Sequence, residues 1–195
     1  MKIFIGVAAG APVTAAAGEL SRELQARAAA TAPLARMSWV PPDRFHLTVL
    51  FIGHVTPPAL EAVRAALARP FAEPRFDLAV AGAGVFPPSG KPRVIWAGCG
   101  AGVDSFIRLQ REAFARVARA VPLVSERDAR PHLTLARVKE PAGLRARALL
   151  EGKEGVMLGS IDVDAVTLFE SRPAAGGVHY SPLMQTPLAP SRSAV

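Results

Sequence analysis

Apolar and polar positions along this chain form short runs whose period changes several times, and each change marks an element. Residues 3–8 are an almost unbroken apolar run, which predicts a strand buried on both faces. Pro12-Val13-Thr14 then opens a helix with Ala17, Leu20, Leu24 and Ala28 along one stripe. Glu19, Arg22, Glu23 and Arg27 face outward, and Pro33 ends it. Trp39-Val40 and the stiff pair Pro41-Pro42 lead into a strand over residues 45–52. Thr56 as N-cap and Pro57 at the first helical position start a helix with Leu60, Val63 and Leu67 on one face. Phe76, Leu78 and Val80 alternate with Asp77 and Ala79, the pattern of a strand with one wet side.

Gly82, Gly84 and Pro87-Pro88-Ser89-Gly90 read as a turn-rich joint near the middle. After it the order repeats. A strand over 93–97 precedes a helix over about 103–120 with Phe106, Leu109, Ala113 and Val117 on one stripe. A strand over 132–138, a short helix over 144–150 and strands over 161–169 and 179–184 follow. The repeat of element order predicts an α+β fold, one bilobal domain over residues 1–185. Each repeat forms one of two pseudo-symmetric lobes of antiparallel sheet, with outer helices around a central cleft. Residues 186–195 mix prolines and serines with small residues and are expected to be a flexible tail.

Both predicted central strands carry the same four-residue pattern, His46-Leu47-Thr48-Val49 and His132-Leu133-Thr134-Leu135, 86 residues apart. On a strand, residues i and i+2 share a face, so each His and its Thr point one way and the leucine the other. Two such strands would bring two imidazoles and two hydroxyls to one cleft. Cleaving a phosphodiester needs a base for the attacking oxygen and an acid for the departing one, and histidine titrates in the range that serves both. A threonine on the same face can donate to a non-bridging phosphate oxygen as charge develops there. Arg44, Arg130 and Arg137 flank the motifs and suit phosphate, but Arg137 has the wrong strand parity to share the face of His132 unless the strand bulges. His54 and His179 lack the motif context and read as structural. Of the aromatics that might stack on bases, Trp39, Phe45, Phe51, Phe86 and Tyr180, most read as core.

Composition narrows the partners. A formal charge of +7 and a pI near 10.7 favour polyanions, nucleic acid above all. With 50% hydrophobic residues the chain can bury a sizeable core. Cys99 is the single cysteine, so an internal disulfide and a thiolate cluster are excluded; it reads as a small buried residue, and the reducing cytoplasm suits it. The apolar start also resembles a short signal peptide, but one lysine ahead of it and the helix pattern behind it favour a first strand. No apolar run is long enough to span a bilayer. Neither motif has a carboxylate within two positions on its own face; Asp43 and Asp128 flank them in loops, so neither a metal nor another cofactor is expected. Nothing in the sequence demands more than a monomer.

The two motifs resemble the paired signatures of the two-histidine phosphoesterase superfamily, and within it the bacterial and archaeal RNA 2′,3′-cyclic phosphodiesterases, also called 2′-5′ RNA ligases. The likeness extends to Phe4-Ile5-Gly6-Val7, Trp39-Val40-Pro41-Pro42, Phe51-Ile52-Gly53, Gly84-Val85-Phe86-Pro87, Pro92-Arg93-Val94-Ile95-Trp96, the run over 131–138, Glu170-Ser171 and Tyr180. The resemblance implies a metal-independent enzyme acting on RNA ends that carry a cyclic phosphate, with tRNA fragments, mRNA fragments and small cyclic nucleotides all open as substrates. It implies His46 as proton donor to the departing 3′ oxygen and His132 as the base that activates water, leaving a 2′-phosphate. Thr48 and Thr134 would hold phosphate oxygens, and Arg137 would assist. Two departures stand out: Ala129 occupies a position that is often aromatic in relatives, and Arg172-Pro173 follow Ser171 where an apolar residue is common. Reversible 2′-5′ ligation by the same residues, and an RNA-binding module without turnover, are the alternatives.

Overall fold

A computed structural model of the chain describes residues 1–123, 130–174 and 177–190. In chain order the elements are β1 (Lys2–Ala8), α1 (Gly10–Thr31), β2 (Arg36–Trp39), β3 (His46–His54), α2 (Pro57–Leu67), β4 (Phe71–Pro74), β5 (Phe76–Phe86), β6 (Val94–Cys99), α3 (Val103–Val117), β7 (Leu133–Glu140), α4 (Ala146–Leu150), β8 (Met157–Val163), β9 (Ala165–Ala174) and β10 (Gly177–Ala189). The apolar start is β1, a central strand between β3 and β9. Thr56 caps α2 by accepting a hydrogen bond from the Ala59 amide at 3.4 Å.

The strands form one mixed sheet in the order β4-β10-β9-β1-β3-β7-β6-β5-β8, with β2 added on β7. Among the described residues only β4 and β10 run parallel, and the other pairs are antiparallel. At the seam, β3 and β7 meet through a single residue pair, Leu47 with Leu133, both fully buried. Outward from it run two matching series, β3-β1-β9-β10 and β7-β6-β5-β8, and these are the two lobes.

The lobes do not coincide with the two sequence repeats, which corrects the expected organisation. β5 belongs to the first repeat but pairs with β6 and β8, while β9 and β10 from the second repeat pair with β1 and each other. The helices are exchanged as well. Helix α1 follows β1 yet packs on β8 and α4; α3 links β6 to β7 yet packs on β3, β4 and α2. Each lobe thus supplies part of the other's core, and Leu24 of α1 and Phe106 of α3 are fully buried.

Three further expectations are revised. The stretch over 161–169 is two strands, because the chain passes at Asp164 from β8 in one lobe to β9 in the other. Gly82 and Gly84 lie inside β5 and not in a joint. Gly82 has φ +70 at an irregularity in the β5–β6 register, and Gly84 faces the Trp96 indole so closely that any Cβ there would collide with it. The tail does not fray at Thr186, since β10 runs on to Ala189. Thr186 is buried and its hydroxyl donates to the Leu67 carbonyl at 2.9 Å, while Leu188 packs into the core. The two four-residue strands β2 and β4 have no counterpart in the sequence reading.

Candidate active site

The seam sets the site. Pairing Leu47 with Leu133 in antiparallel register places His46 across from Thr134 and Thr48 across from His132. With the leucines committed to the core, all four polar side chains point to the concave side. There they line one cavity of about 370 Å³, as expected from the repeated motif.

Each imidazole is held in the same way. His46 Nδ1 lies 2.8 Å from the Arg44 carbonyl oxygen, and His132 Nδ1 lies 2.8 Å from the Arg130 carbonyl oxygen. A carbonyl can only accept, so each Nδ1 carries the hydrogen and each Nε2 is left for chemistry. Aromatic rings fix the imidazole planes. His46 packs against Phe4 at 4.9 Å and Tyr180 at 5.0 Å between centroids, and His132 meets Phe86 edge-on at 5.0 Å. Gly6, across from Thr48, leaves the room for this. A Cβ there would stand 3.1 Å from the Leu47 carbonyl oxygen, 3.2 Å from the Phe4 ring and 3.5 Å from His46 Cδ2.

Both imidazoles titrate below the ordinary histidine range. Burial is the main cause, and the Arg137 charge acts in the same direction on each; the carbonyl that accepts from Nδ1 opposes the shift. Arg137 lines the same cavity as the two histidines. Strand parity alone would turn it away, and a bulge corrects the parity. Thr134 faces Trp96 and Ala136 faces Ile95, so Leu135 is an extra residue in β7; Leu135 and Ala136 are both buried, and Arg137 returns to the cleft. The same bulge follows Thr48 in β3. Thr48 faces Gly6 and Leu50 faces Ile5, Val49 is extra, and Phe51 returns to the cleft at the position matching Arg137.

The structure brings His46, Thr48, His132, Thr134 and Arg137 together. Arg130 joins them at the rim with its guanidinium 4.9 Å from the Trp96 ring centroid. Among the aromatics, only Phe45 is a core residue as expected; Phe51 is 39% exposed at the cleft, and Phe86 and Tyr180 wall it. His179 is exposed and lines a hollow next to His46, and His54 ends β3 at the surface. Cys99 is half-buried with its thiol pushed up to about 12 by burial, which removes it as a nucleophile. The buried Glu170 carboxylate is paired with Arg172 at 2.7 Å, which accounts for the arginine after Ser171. Asp128 and Ala129 lie outside the described residues. Among the described residues no three His, Cys, Asp or Glu side chains are grouped to hold a metal ion, and no helix is long and apolar enough to cross a membrane.

A mirrored His–Thr pair at the seam of a two-lobed α+β sheet is the layout expected of a two-histidine phosphoesterase. Comparison with known proteins agrees. The sequence matches the family of LigT-like phosphoesterases over residues 12–96 and 101–180, and the chain belongs to that family. A protein of Aeropyrum pernix named RNA 2′,3′-cyclic phosphodiesterase is 33% identical over 157 residues, covering 80% of this chain and 88% of that protein. A protein of the same name from Methanothermobacter thermautotrophicus is 33% identical over 150 residues, 75% of this chain and 80% of its own. Among solved structures, a Thermus thermophilus protein superposes with a TM-score of 0.74 at 30% identity, covering 98% of this chain and all of that one. Escherichia coli LigT complexed with 3′-AMP gives 0.68 at 26% identity, covering 96% and 97%.

Proposed function

We propose that this protein hydrolyses 2′,3′-cyclic phosphodiester ends of RNA to 2′-phosphomonoesters, with the two imidazoles supplying both proton transfers. The observation that carries the proposal is the mirrored pair of histidines, each with Nδ1 on a backbone carbonyl and both lining one cavity with Thr48, Thr134 and Arg137. His132 Nε2 takes a proton from water as the water oxygen bonds to phosphorus. His46, protonated, gives its Nε2 proton to the 3′ oxygen as the P–O3′ bond breaks, and the phosphate stays on the 2′ oxygen. The hydroxyls of Thr48 and Thr134 and the guanidinium of Arg137 donate to the non-bridging oxygens, where charge grows in the transition state. In the free cleft both imidazoles favour the neutral form. A bound phosphate anion favours the imidazolium, so substrate itself helps to load His46 with its proton.

Relatives named RNA 2′,3′-cyclic phosphodiesterase support the choice of substrate class, and the +7 charge suits RNA. The test is turnover of a short RNA ending in a 2′,3′-cyclic phosphate, in the presence of EDTA, by the wild type and by His46→Ala and His132→Ala. A 2′-phosphate product from the wild type alone is expected. RNA binding without turnover would overturn the proposal and leave a binding module.

A further inference from the structure

One buried polar side chain reaches the candidate site from beneath the sheet. Gln110 lies on the buried stripe of α3, between Leu109 and Ala113, and is 2% exposed. Its Nε2 donates to the main-chain carbonyl oxygen of Thr48 at 3.4 Å. Its Oε1 is buried with no partner among the described residues. A half-satisfied amide in a core costs stability, and an apolar side chain of similar length would spare that cost. The one hydrogen bond described for this amide ends at a residue of the cleft, so the packing of the core does not account for a glutamine here.

The bond falls where β3 departs from regular pairing. Val49 is the extra residue of the bulge, so the Thr48–Val49 peptide sits at the interruption of the ladder. Backbone groups beside a bulge need partners from elsewhere, and the amide of Gln110 meets the carbonyl of that peptide. The Thr48 carbonyl and hydroxyl are borne by one short residue, so holding the first limits where the second can point. The other half of the sheet is built differently. In α1, Leu20, Ser21 and Leu24 repeat the spacing of Leu109, Gln110 and Ala113, and Ser21 is likewise buried. Among the described residues Ser21 makes no matching bond to Thr134. The two halves share the motif and the bulge, but only the β3 half has a side-chain amide under its threonine.

We propose that Gln110 is a positioning residue for the phosphodiester chemistry: it holds the Thr48 peptide at the bulge and so fixes the Thr48 hydroxyl against a non-bridging phosphate oxygen. The proposal rests on the reading of Thr48 as a phosphate ligand. The hydroxyl matters most as charge grows on phosphorus, so Gln110 acts on kcat more than on KM. The loss of the Thr48 hydroxyl sets a ceiling of about 10- to 150-fold, the worth of one hydrogen bond to a charged group. Gln110 works through that hydroxyl and stays below the ceiling.

The test is a double-mutant cycle on a short RNA ending in a 2′,3′-cyclic phosphate. Gln110→Met keeps the length of the side chain and removes the donor. It is measured alone, in a Thr48→Val background and in a Thr134→Val background, with urea unfolding of each variant. Gln110→Met should lower kcat about fivefold or more, with KM within about twofold and an unfolding midpoint no lower than that of the wild type. With Thr48→Val already present it should cost nothing further, whereas with Thr134→Val the two losses should multiply. An unchanged kcat in Gln110→Met, losses that multiply with Thr48→Val, or a loss matched by a lower unfolding midpoint would each overturn the proposal. Should Gln110→Met fail to fold, hydrogen exchange of the wild-type Gln110 side-chain amide decides. Slow exchange is expected, and exchange as fast as that of an exposed glutamine overturns it. A wild type without turnover overturns the phosphodiesterase reading itself; an active wild type with a fully active Thr48→Val overturns only the role of Thr48 and, with it, that of Gln110.

Discussion

Arg137→Gln tests the link between the bulge in β7 and the chemistry. The side chain reaches the cleft only because Leu135 is an extra residue, and its charge acts on both His46 and His132. Two effects follow from removing it. A charge-assisted hydrogen bond to phosphate contributes about 1.5–3 kcal/mol. Arg137 is exposed, so solvent screening argues for the lower part of that range. About 2 kcal/mol corresponds to a loss of roughly 30-fold in kcat/KM, and glutamine keeps a neutral donor of similar reach. The second effect has a definite sign. A positive neighbour disfavours the imidazolium, so its loss moves both histidines up toward their ordinary range. The acid limb of the kcat/KM profile, which reports the free enzyme, shifts to higher pH with them. Kinetics from pH 5 to 8, with NMR titration of the two imidazoles, measures both effects. An activity loss under threefold, or histidines that titrate unchanged in Arg137→Gln, would refute a role for Arg137 in the cleft.

Stability should also depend on the histidines. Both are held below their unfolded value near 6.5, so as pH falls the unfolded chain takes up protons first. Their contribution is therefore complete above about pH 7.5 and declines as pH drops through 6.5 toward the folded values. Urea unfolding between pH 5 and 8 should show stability rising with pH over that window, with a flatter curve for the His46→Asn/His132→Asn double variant; equal slopes would count against it. Gly6→Ala puts a methyl 3.1–3.5 Å from the Leu47 carbonyl, the Phe4 ring and His46. It should lower kcat about tenfold through a displaced imidazole while the fold survives, as kcat and circular dichroism together would show. Thr186→Val removes the hydroxyl that donates to the Leu67 carbonyl and leaves that acceptor buried. A loss of about 1–2 kcal/mol in urea unfolding is expected, and no loss would mean that the end of β10 adds nothing to the fold.

What the sequence by itself determined is what neighbours along the chain determine. The i, i+2 parity of His46 with Thr48 and of His132 with Thr134 is a property of any strand, and it carried the site through to the structure. Helical stripes such as Leu60, Val63 and Leu67 were legible for the same reason, because burying one face needs no knowledge of what covers it. The remainder depended on partners distant in sequence. The bulges at Val49 and Leu135 exist only in the register with β1 and β6, so local parity misplaced Arg137 and hid Phe51. Gly84 reads as a turn until Trp96 is laid over it, and Phe86 and Tyr180 read as core until the histidines are set beside them. The exchange of α1 and α3 between lobes, and the crossing at Asp164, leave no periodic trace. Strand and helix are chosen by short-range sterics and burial pattern. Which surfaces meet is chosen by long-range packing, and that made two separate motifs into one site.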